Sequence, residues 1–231
     1  MAPKGPCISV VIMAYNEANS LAGVVHEIHS SLEEMGRTYE IIILDDGSTD
    51  STAAIADQLA AEYTHLHAVH HAVNLGLGGV YRHGFSEAQG EYLTFFPADG
   101  QFPADILKLF FPLTAQADLV LGYLHRQDSS LVARFLSFSE KLLYYLLFGP
   151  LPPFKGIMLF RRSILEEIEL KSQGRGWGVV MELIIRASRN KFRIISIPTE
   201  IRPRLSGQSK VRNPTTILAN LKQVIALRFY L

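Results

Sequence analysis

Over the first ~120 residues short apolar runs alternate with stretches of helical periodicity, the mark of βαβ units feeding a mainly parallel sheet. Ile8 to Met13, Tyr39 to Leu44, His67 to His70, Tyr92 to Phe96 and Leu119 to Leu121 are the expected strands. Between the first two, Leu21, Val24, Val25, Ile28 and Leu32 recur on one helical face, and Gly36 follows where a left-handed C-terminal cap belongs. Asp50, Ser51 and Thr52 supply capping oxygens ahead of a second helix from Ala53 to Tyr63. Beyond residue 125 the alternation breaks. An amphipathic stretch from Leu131 to Phe148 leads to a turn with Pro150, Pro152 and Pro153, then a strand near Ile157 to Phe160. A helix from Met181 to Ser188, a strand from Phe192 to Ile197 and a loop from Pro203 to Pro214 complete the pattern.

With 231 residues, 48% of them hydrophobic, the chain can bury a sizeable core, and its length fits one α/β domain. The 22 basic and 22 acidic residues balance, so net charge gives no pull toward nucleic acid. Locally the balance tips. Arg186, Arg189, Lys191, Arg193, Arg202, Arg204, Lys210 and Arg212 are opposed by Glu200 alone, which reads either as a solvated surface or as a site for an anionic substrate. Cys7 is the single cysteine; it excludes an internal disulfide framework and a zinc-cysteine cluster and suits a reducing, cytoplasmic compartment. No apolar run reaches spanning length: Leu142 to Leu151 is too short, and Thr215 to Leu231 is interrupted by Lys222 and Arg228. Peripheral attachment to the cytoplasmic membrane face stays compatible with both segments.

Ligands of open parallel sheets bind beyond the carboxyl ends of the strands, so the loops after residues 13, 44 and 96 should converge on one crevice. The first carries Tyr15, Asn16 and Glu17, which on the simplest reading cap the next helix. The second reads Asp45-Asp46-Gly47-Ser48-Thr49-Asp50, and adjacent carboxylates at the end of an apolar strand are costly unless hydrogen-bonded or bound to something. One is expected to brace the loop while its neighbour faces a nucleotide, because successive strand side chains alternate. Asn74 to Gly79 (NLGLGG) lacks the spacing of a dinucleotide fingerprint; its glycines instead let the backbone pass close to a neighbour before a helix from Val80 to Ala88. The third loop offers Asp99 and Gln101, oxygen ligands of the kind Mg²⁺ or Mn²⁺ takes beside substrate phosphates.

Taken together, the order YNE, DDGSTDST, NxGxG and ADGQ, each after its strand, resembles family 2 glycosyltransferases, and among them the polyprenyl-phosphate enzymes. Phe154-Lys155-Gly156 through Arg161-Arg162 looks like that family's SGF segment, Trp177 through Arg186 like its acidic helix, and Arg202 through Lys210 like its RxxGxSK loop. The resemblance implies a GT-A-like, Rossmann-like mixed and mainly parallel sheet flanked by helices in a single domain. Its nucleotide-sugar-binding half would span residues 8–122 and its acceptor-binding half residues 123–231. It further implies that Met13, Tyr15, Glu17, Leu44 and Asp46 line the base and ribose pocket, and that Ala98, Asp99 and Gln101 sit at the diphosphate and a divalent cation. Arg134, Arg204, Ser209 and Lys210 would meet phosphate groups, a task suited to guanidinium forks. The chain departs from the family pattern at Pro97, where the first Asp of Asp-x-Asp would stand, and at Met13, Gly122-Tyr123-Leu124 and Pro152.

The implied reaction is inverting transfer of a sugar from a GDP- or UDP-linked donor to a polyprenyl phosphate, with Asp99 and Arg204 stabilising the departing diphosphate. A phosphate acceptor is already anionic near neutral pH and needs no strong base. A hydroxyl acceptor would need one. Glu182 is then the candidate, its alternative being an ion pair with Arg186 four residues on. A non-catalytic nucleotide-sugar-binding protein is the third possibility.

Overall fold

The computed structural model describes residues 5–124, 142–203, 225–229 and 231. Among them the strands are β1 (Ile8–Ala14), β2 (Tyr39–Asp45), β3 (Leu66–His70), β4 (Tyr92–Pro97), β5 (Leu119–Leu124), β6 (Met158–Arg161) and β7 (Ile194–Thr199). The helices include α1 (Leu21–Met35), α2 (Thr52–Glu62), α3 (Gly76–Glu87), α4 (Ile106–Phe110), α5 (Ile164–Glu167) and α6 (Gly178–Arg189), with a tighter 3-10 turn at Phe111–Ala115. One sheet holds all seven strands in the order β3-β2-β1-β4-β6-β5-β7. Only β6 runs against its neighbours, with Leu93 opposite Phe160 and Val120 opposite Leu159. The sheet is therefore mixed and mainly parallel, with helices on both faces.

Burial on two faces explains why the central strands read as unbroken apolar runs. Odd and even positions go to different layers. Ile8, Val10, Ile12, Ile41, Ile43 and Phe96 pack under α1, α2 and α4. Val11, Ile42, Leu44, Leu93 and Phe95 pack under α3, α5 and α6. Each fully buried Ile, Leu or Phe contributes about 1.5–3 kcal/mol, so both layers stabilise the packing of the sheet against its helices.

Local signals act where expected at α1, which ends at Gly36 with φ +60° and its N–H bonded to Glu33 O. The glycine-rich segment differs. Its glycines lie inside α3, which starts at Gly76 rather than Val80, and they serve close approach from within the helix. A Cβ on Gly78 would lie 2.1 Å from Gly174 O, and one on Gly76 2.7 Å from Arg175 O. Contact with residues 174–176, sealed by Gly78 N–H to Arg175 O at 2.9 Å, thus fixes the helix start that propensity alone disfavours. The strand expected at Phe192 begins two residues later, at Ile194. Of the amphipathic stretch from Leu131 to Phe148, residues 142–148 are helical and the remainder lies outside the described residues, as does most of the loop from Pro203 to Pro214.

Candidate active site

Because β2, β1 and β4 are neighbours and parallel, the loops following Ala14, Asp45 and Pro97 emerge side by side at one sheet edge. The first two are laced together. Asn16 adopts φ +56°, and its Oδ1 accepts from Thr49 N at 2.8 Å and Thr49 Oγ1 at 3.3 Å. In return Ser48 Oγ accepts from Asn16 N and Thr52 Oγ1 from Glu17 N, each at 2.9 Å. Asp50 accepts from Thr52 N at 3.0 Å and Ala18 N at 3.4 Å. Burial alone would raise its pKa, but the hydrogen bond from Thr52 Oγ1, joined by these backbone bonds, outweighs it and holds the carboxyl below its usual range. Glu17 Oε2 accepts from Ser20 Oγ at 3.0 Å, directing that carboxylate to the entrance of α1. Tyr15 and Met13 are half-buried.

Both carboxylates of the Asp45-Asp46 pair brace structure. Asp45 accepts from Ser48 N at 3.1 Å and faces His70 Nδ1 at 3.0 Å. His70 also meets Asp57, and the Asp45 hydrogen bond is the main reason its pKa is raised, against an opposing push from burial. Asp46 accepts from Leu75 N at 2.8 Å and Gly76 N at 2.9 Å, and meets His71 Nδ1 at 2.7 Å. It therefore caps α3 from a distance, with negative charge at the positive end of that helix. The expectation that one of the two aspartates would be left to face the crevice is corrected to this extent: a carboxylate offers about four acceptor directions, and three of Asp46's are filled. Gly47, at φ +70°, permits the approach, since a Cβ there would lie 2.8 Å from Asn74 N.

In the third loop Pro97 closes the β1–β4 pairing opposite Met13, and Ala98 N donates to Met13 O at 2.9 Å. Asp99 is buried, and its Oδ1 accepts from Gln101 N at 3.1 Å across a turn with Gly100 at φ +71°. Gln101 O accepts from Arg202 N at 2.7 Å, so the segment leading to Arg204, Ser209 and Lys210 departs from this crevice. Those three residues and Arg134 lie outside the described residues. Two other expectations change. Leu44 and Ala98 are 0% and 1% exposed and pack in the two core layers, so their side chains do not line an open pocket.

Glu182 is also reassigned. It is 0% exposed and accepts from Lys171 N at 3.0 Å, Ser172 N at 2.7 Å and Arg186 Nε at 2.8 Å. Burial pushes its pKa up, but the backbone and guanidinium hydrogen bonds win and hold it low. Of its two readings the structure builds the ion pair, with the carboxylate clamping the loop before α6. The basic run behaves likewise: Arg193 pairs with Asp118, Arg202 with Glu27 and Arg186 with Glu182. Those charges are spent internally, so anion binding cannot be read from their number.

His70, His71 and Arg175 were not singled out by sequence. Arg175 donates to Asn74 Oδ1 at 2.7 Å, tying the loop before α6 to the start of α3. The one available signal was the His70-His71 pair at the end of β3, where His70 stands in register with Asp45 at the end of β2. Among the described residues no three His, Cys, Asp or Glu side chains converge as metal ligands. Asp99 with Gln101 still suits Mg²⁺ or Mn²⁺, which commonly take one or two carboxylates and complete their shell with water and substrate phosphates.

A family model described as glycosyl transferase family 2 matches residues 9–169. The chain is 30% identical over 215 residues to a polyprenol monophosphomannose synthase of Mycolicibacterium smegmatis, covering 87% of this chain and 80% of that protein. It is 26% identical to an undecaprenyl-phosphate mannosyltransferase of Micrococcus luteus, covering 88% and 87%. Among solved structures it resembles glucosyl-3-phosphoglycerate synthase from Mycobacterium tuberculosis in complex with Mn²⁺, UDP and phosphoglyceric acid. There the TM-score is 0.68, at 19% identity over 95% of this chain and 79% of that one. Mannosyl-3-phosphoglycerate synthase from Rubrobacter xylanophilus gives a TM-score of 0.69 at 16% identity, over 96% and 74%. With its strands, loop order and family match in agreement, the chain belongs to glycosyl transferase family 2 and is a glycosyltransferase.

Proposed function

We propose that this enzyme transfers a hexose from a nucleoside-diphosphate sugar to a polyprenyl phosphate, with inversion at the anomeric carbon. The observation that carries the reading is the convergence of the Tyr15–Glu17, Asp45–Asp50 and Ala98–Gln101 loops at one sheet edge, in a chain 30% identical to a polyprenol monophosphomannose synthase across most of both lengths. Residues 8–122 form the donor half. Tyr15, Met13, Glu17 and the remaining acceptor direction of Asp46 face base and ribose. Asp99 and Gln101 hold a divalent cation, which supplies charge neutralisation at the diphosphate. Arg204, Ser209 and Lys210, whose segment starts where Arg202 is anchored to Gln101, contribute donors to the phosphate oxygens. The acceptor phosphate attacks the anomeric carbon from the face opposite the leaving diphosphate, and its own negative charge makes a general base unnecessary. That agrees with the engagement of Glu182 in structure rather than chemistry.

A lipid acceptor requires access to a membrane. Among the described residues no helix is long and apolar enough to cross one. The helical segments 142–148 and 225–229 instead expose Leu146 and Phe229 at 72% and 84%, while Phe148 and Leu227 anchor them on Ile185 of α6. Such a surface, with Arg228 beside it, supports peripheral attachment to an anionic interface.

Thermal stabilisation by UDP, GDP, CDP and their sugars, with and without Mn²⁺, tests the donor; turnover with a short polyprenyl phosphate tests the acceptor. A metal-dependent shift with one base, lost in Asp99→Ala, is expected. Turnover on phosphoglyceric acid but not on polyprenyl phosphate would overturn the acceptor assignment.

A further inference from the structure

Asp46 sits at the end of a hydrogen-bonded array that runs from the donor crevice to the surface of α3. His71 Nδ1 is 2.7 Å from Asp46 Oδ1, His71 Nε2 is 2.8 Å from His83 Nδ1, and His83 Nε2 faces Glu87 Oε1 at 3.4 Å. The two imidazoles lie nearly parallel, at 10°. The His71 side chain is 5% exposed and that of His83 33%, so the inner ring is sealed and the outer one wet. His71 N also donates to Asp45 O at 2.9 Å, fixing the backbone from which the ring projects.

We propose that His71 is a positioning residue for the donor site, holding Asp46 in the one orientation that leaves an acceptor direction toward the nucleotide, with His83 locking the His71 tautomer. The inference rests on the donor-pocket reading above. Its logic is a count of protons. Both Asp46 oxygens accept from amides, Leu75 N and Gly76 N, so in the bond to His71 the ring nitrogen is the donor and carries the hydrogen. In neutral His71 the Nε2 is then the acceptor, and His83 Nδ1 donates the bond between the rings. Which nitrogen of an imidazole is protonated is set by the bond its other nitrogen makes, so His83 fixes the tautomer that Asp46 requires.

Without that donor, Asp46 is held only by the two amides at the start of α3, and its carboxylate can rotate about its last bond into the position His71 occupied. The neighbouring pair cannot substitute. His70 is committed to Asp45 and to Asp57 of α2, and Arg175, from the loop before α6, to Asn74.

Binding of nucleoside diphosphates by calorimetry, with donor KM and kcat, decides the matter in three variants. In His71→Asn the side-chain amide keeps a donor near the Nδ1 position; His71→Gln places its amide near Nε2 and loses the bond to Asp46; His83→Ala removes the tautomer lock from a partly exposed site. Expected are a roughly tenfold loss of nucleotide affinity and rise of donor KM in His71→Gln, the weight of one charge-assisted hydrogen bond, with kcat within about twofold. His71→Asn should return to within about threefold of the parent, and His83→Ala should fall between. Equal affinity in His71→Gln and the parent, or equal losses in the Asn and Gln variants, would overturn the assignment. Should the parent bind no nucleoside diphosphate at millimolar concentration, the donor reading itself falls and this inference with it. Parent binding with unchanged variants defeats the inference alone.

Discussion

Replacing Glu182 by alanine removes a carboxylate that is 0% exposed and serves three donors: Lys171 N, Ser172 N and Arg186 Nε. Breaking a buried ion pair by deleting one partner costs about 3–5 kcal/mol. Arg186 keeps 20% exposure, which lets water recover part of that, while each orphaned amide adds about 1–3 kcal/mol unless the loop moves to expose it. A net loss of about 3–5 kcal/mol follows, or a fall in Tm of about 6–20 °C at about 2–4 °C per kcal/mol for a chain of this size. Glu182→Gln preserves shape, loses charge and turns an NH₂ toward existing donors, costing about 1–3 kcal/mol. The chemical role is separable from the structural one. A general base replaced by an amide loses about 10²–10⁴ in kcat, whereas a brace replaced by its isostere keeps kcat within a few-fold wherever the protein stays folded. Calorimetric melting together with turnover at a temperature well below the variant's transition gives both answers. An alanine variant melting within about 2 °C of the parent, or a folded glutamine variant slowed a hundredfold, refutes the reasoning.

The same group makes stability pH-dependent. Its folded pKa lies below the ordinary glutamate value of 4.5, so its contribution is complete above that pH and drains away as pH falls through the folded value; Asp118, lowered chiefly by its hydrogen bond from Arg193, acts in the same sense below the ordinary aspartate value of 3.8. Urea midpoints across acid pH should fall steeply in the parent and less so in Glu182→Gln, and parallel curves would contradict this. Gly78→Ala places a methyl 2.1 Å from Gly174 O, backbone against backbone, and should cost about 1–3 kcal/mol or more by denaturant melting; a neutral result would mean that the loop before α6 yields freely. Pro97→Asp adds a second carboxylate beside Asp99 and should increase metal-dependent turnover, whereas unchanged metal dependence would place the cation elsewhere.

The sheet was legible because its strands are buried on both faces, which leaves long runs of β-branched residues with polar punctuation; β1 and β2 each extend one residue beyond their expected ends. The helices α4 and α5, five and four residues long, are too short to complete a hydrophobic period and left no signal. The loop motifs announced the crevice but not the state of its side chains. That Asp46 also caps α3 is not legible in the sequence, because its partners, at residues 71 to 76, are distant along the chain and mostly backbone. Glu182 and the basic run were ambiguous for a related reason. An Arg can be assigned to a substrate or to Glu27, Asp118 or Glu182 only when the fold has shown which acid lies beside it.

These assignments bear on how the donor edge is preorganised. Side chains from one loop satisfy the backbone of the next: Asn16 serves Thr49, Thr52 serves Glu17, Asp46 serves the start of α3, and Asn74 closes on Asp46 O. Each bond spans some thirty residues of sequence and joins the ends of separate βα units, so the loops after β1, β2 and β3 are tied to one another. A substitution at Asp46 therefore removes a helix cap together with any nucleotide contact, and lost activity there cannot by itself identify a binding residue. Asp99 poses the same question in the loop after β4, where its Oδ1 accepts from Gln101 N. Loss of metal-dependent nucleotide binding in Asp99→Ala with an unchanged melting temperature would identify chemistry, and the same loss in an Asp46 variant would not until its stability had been matched to the parent's.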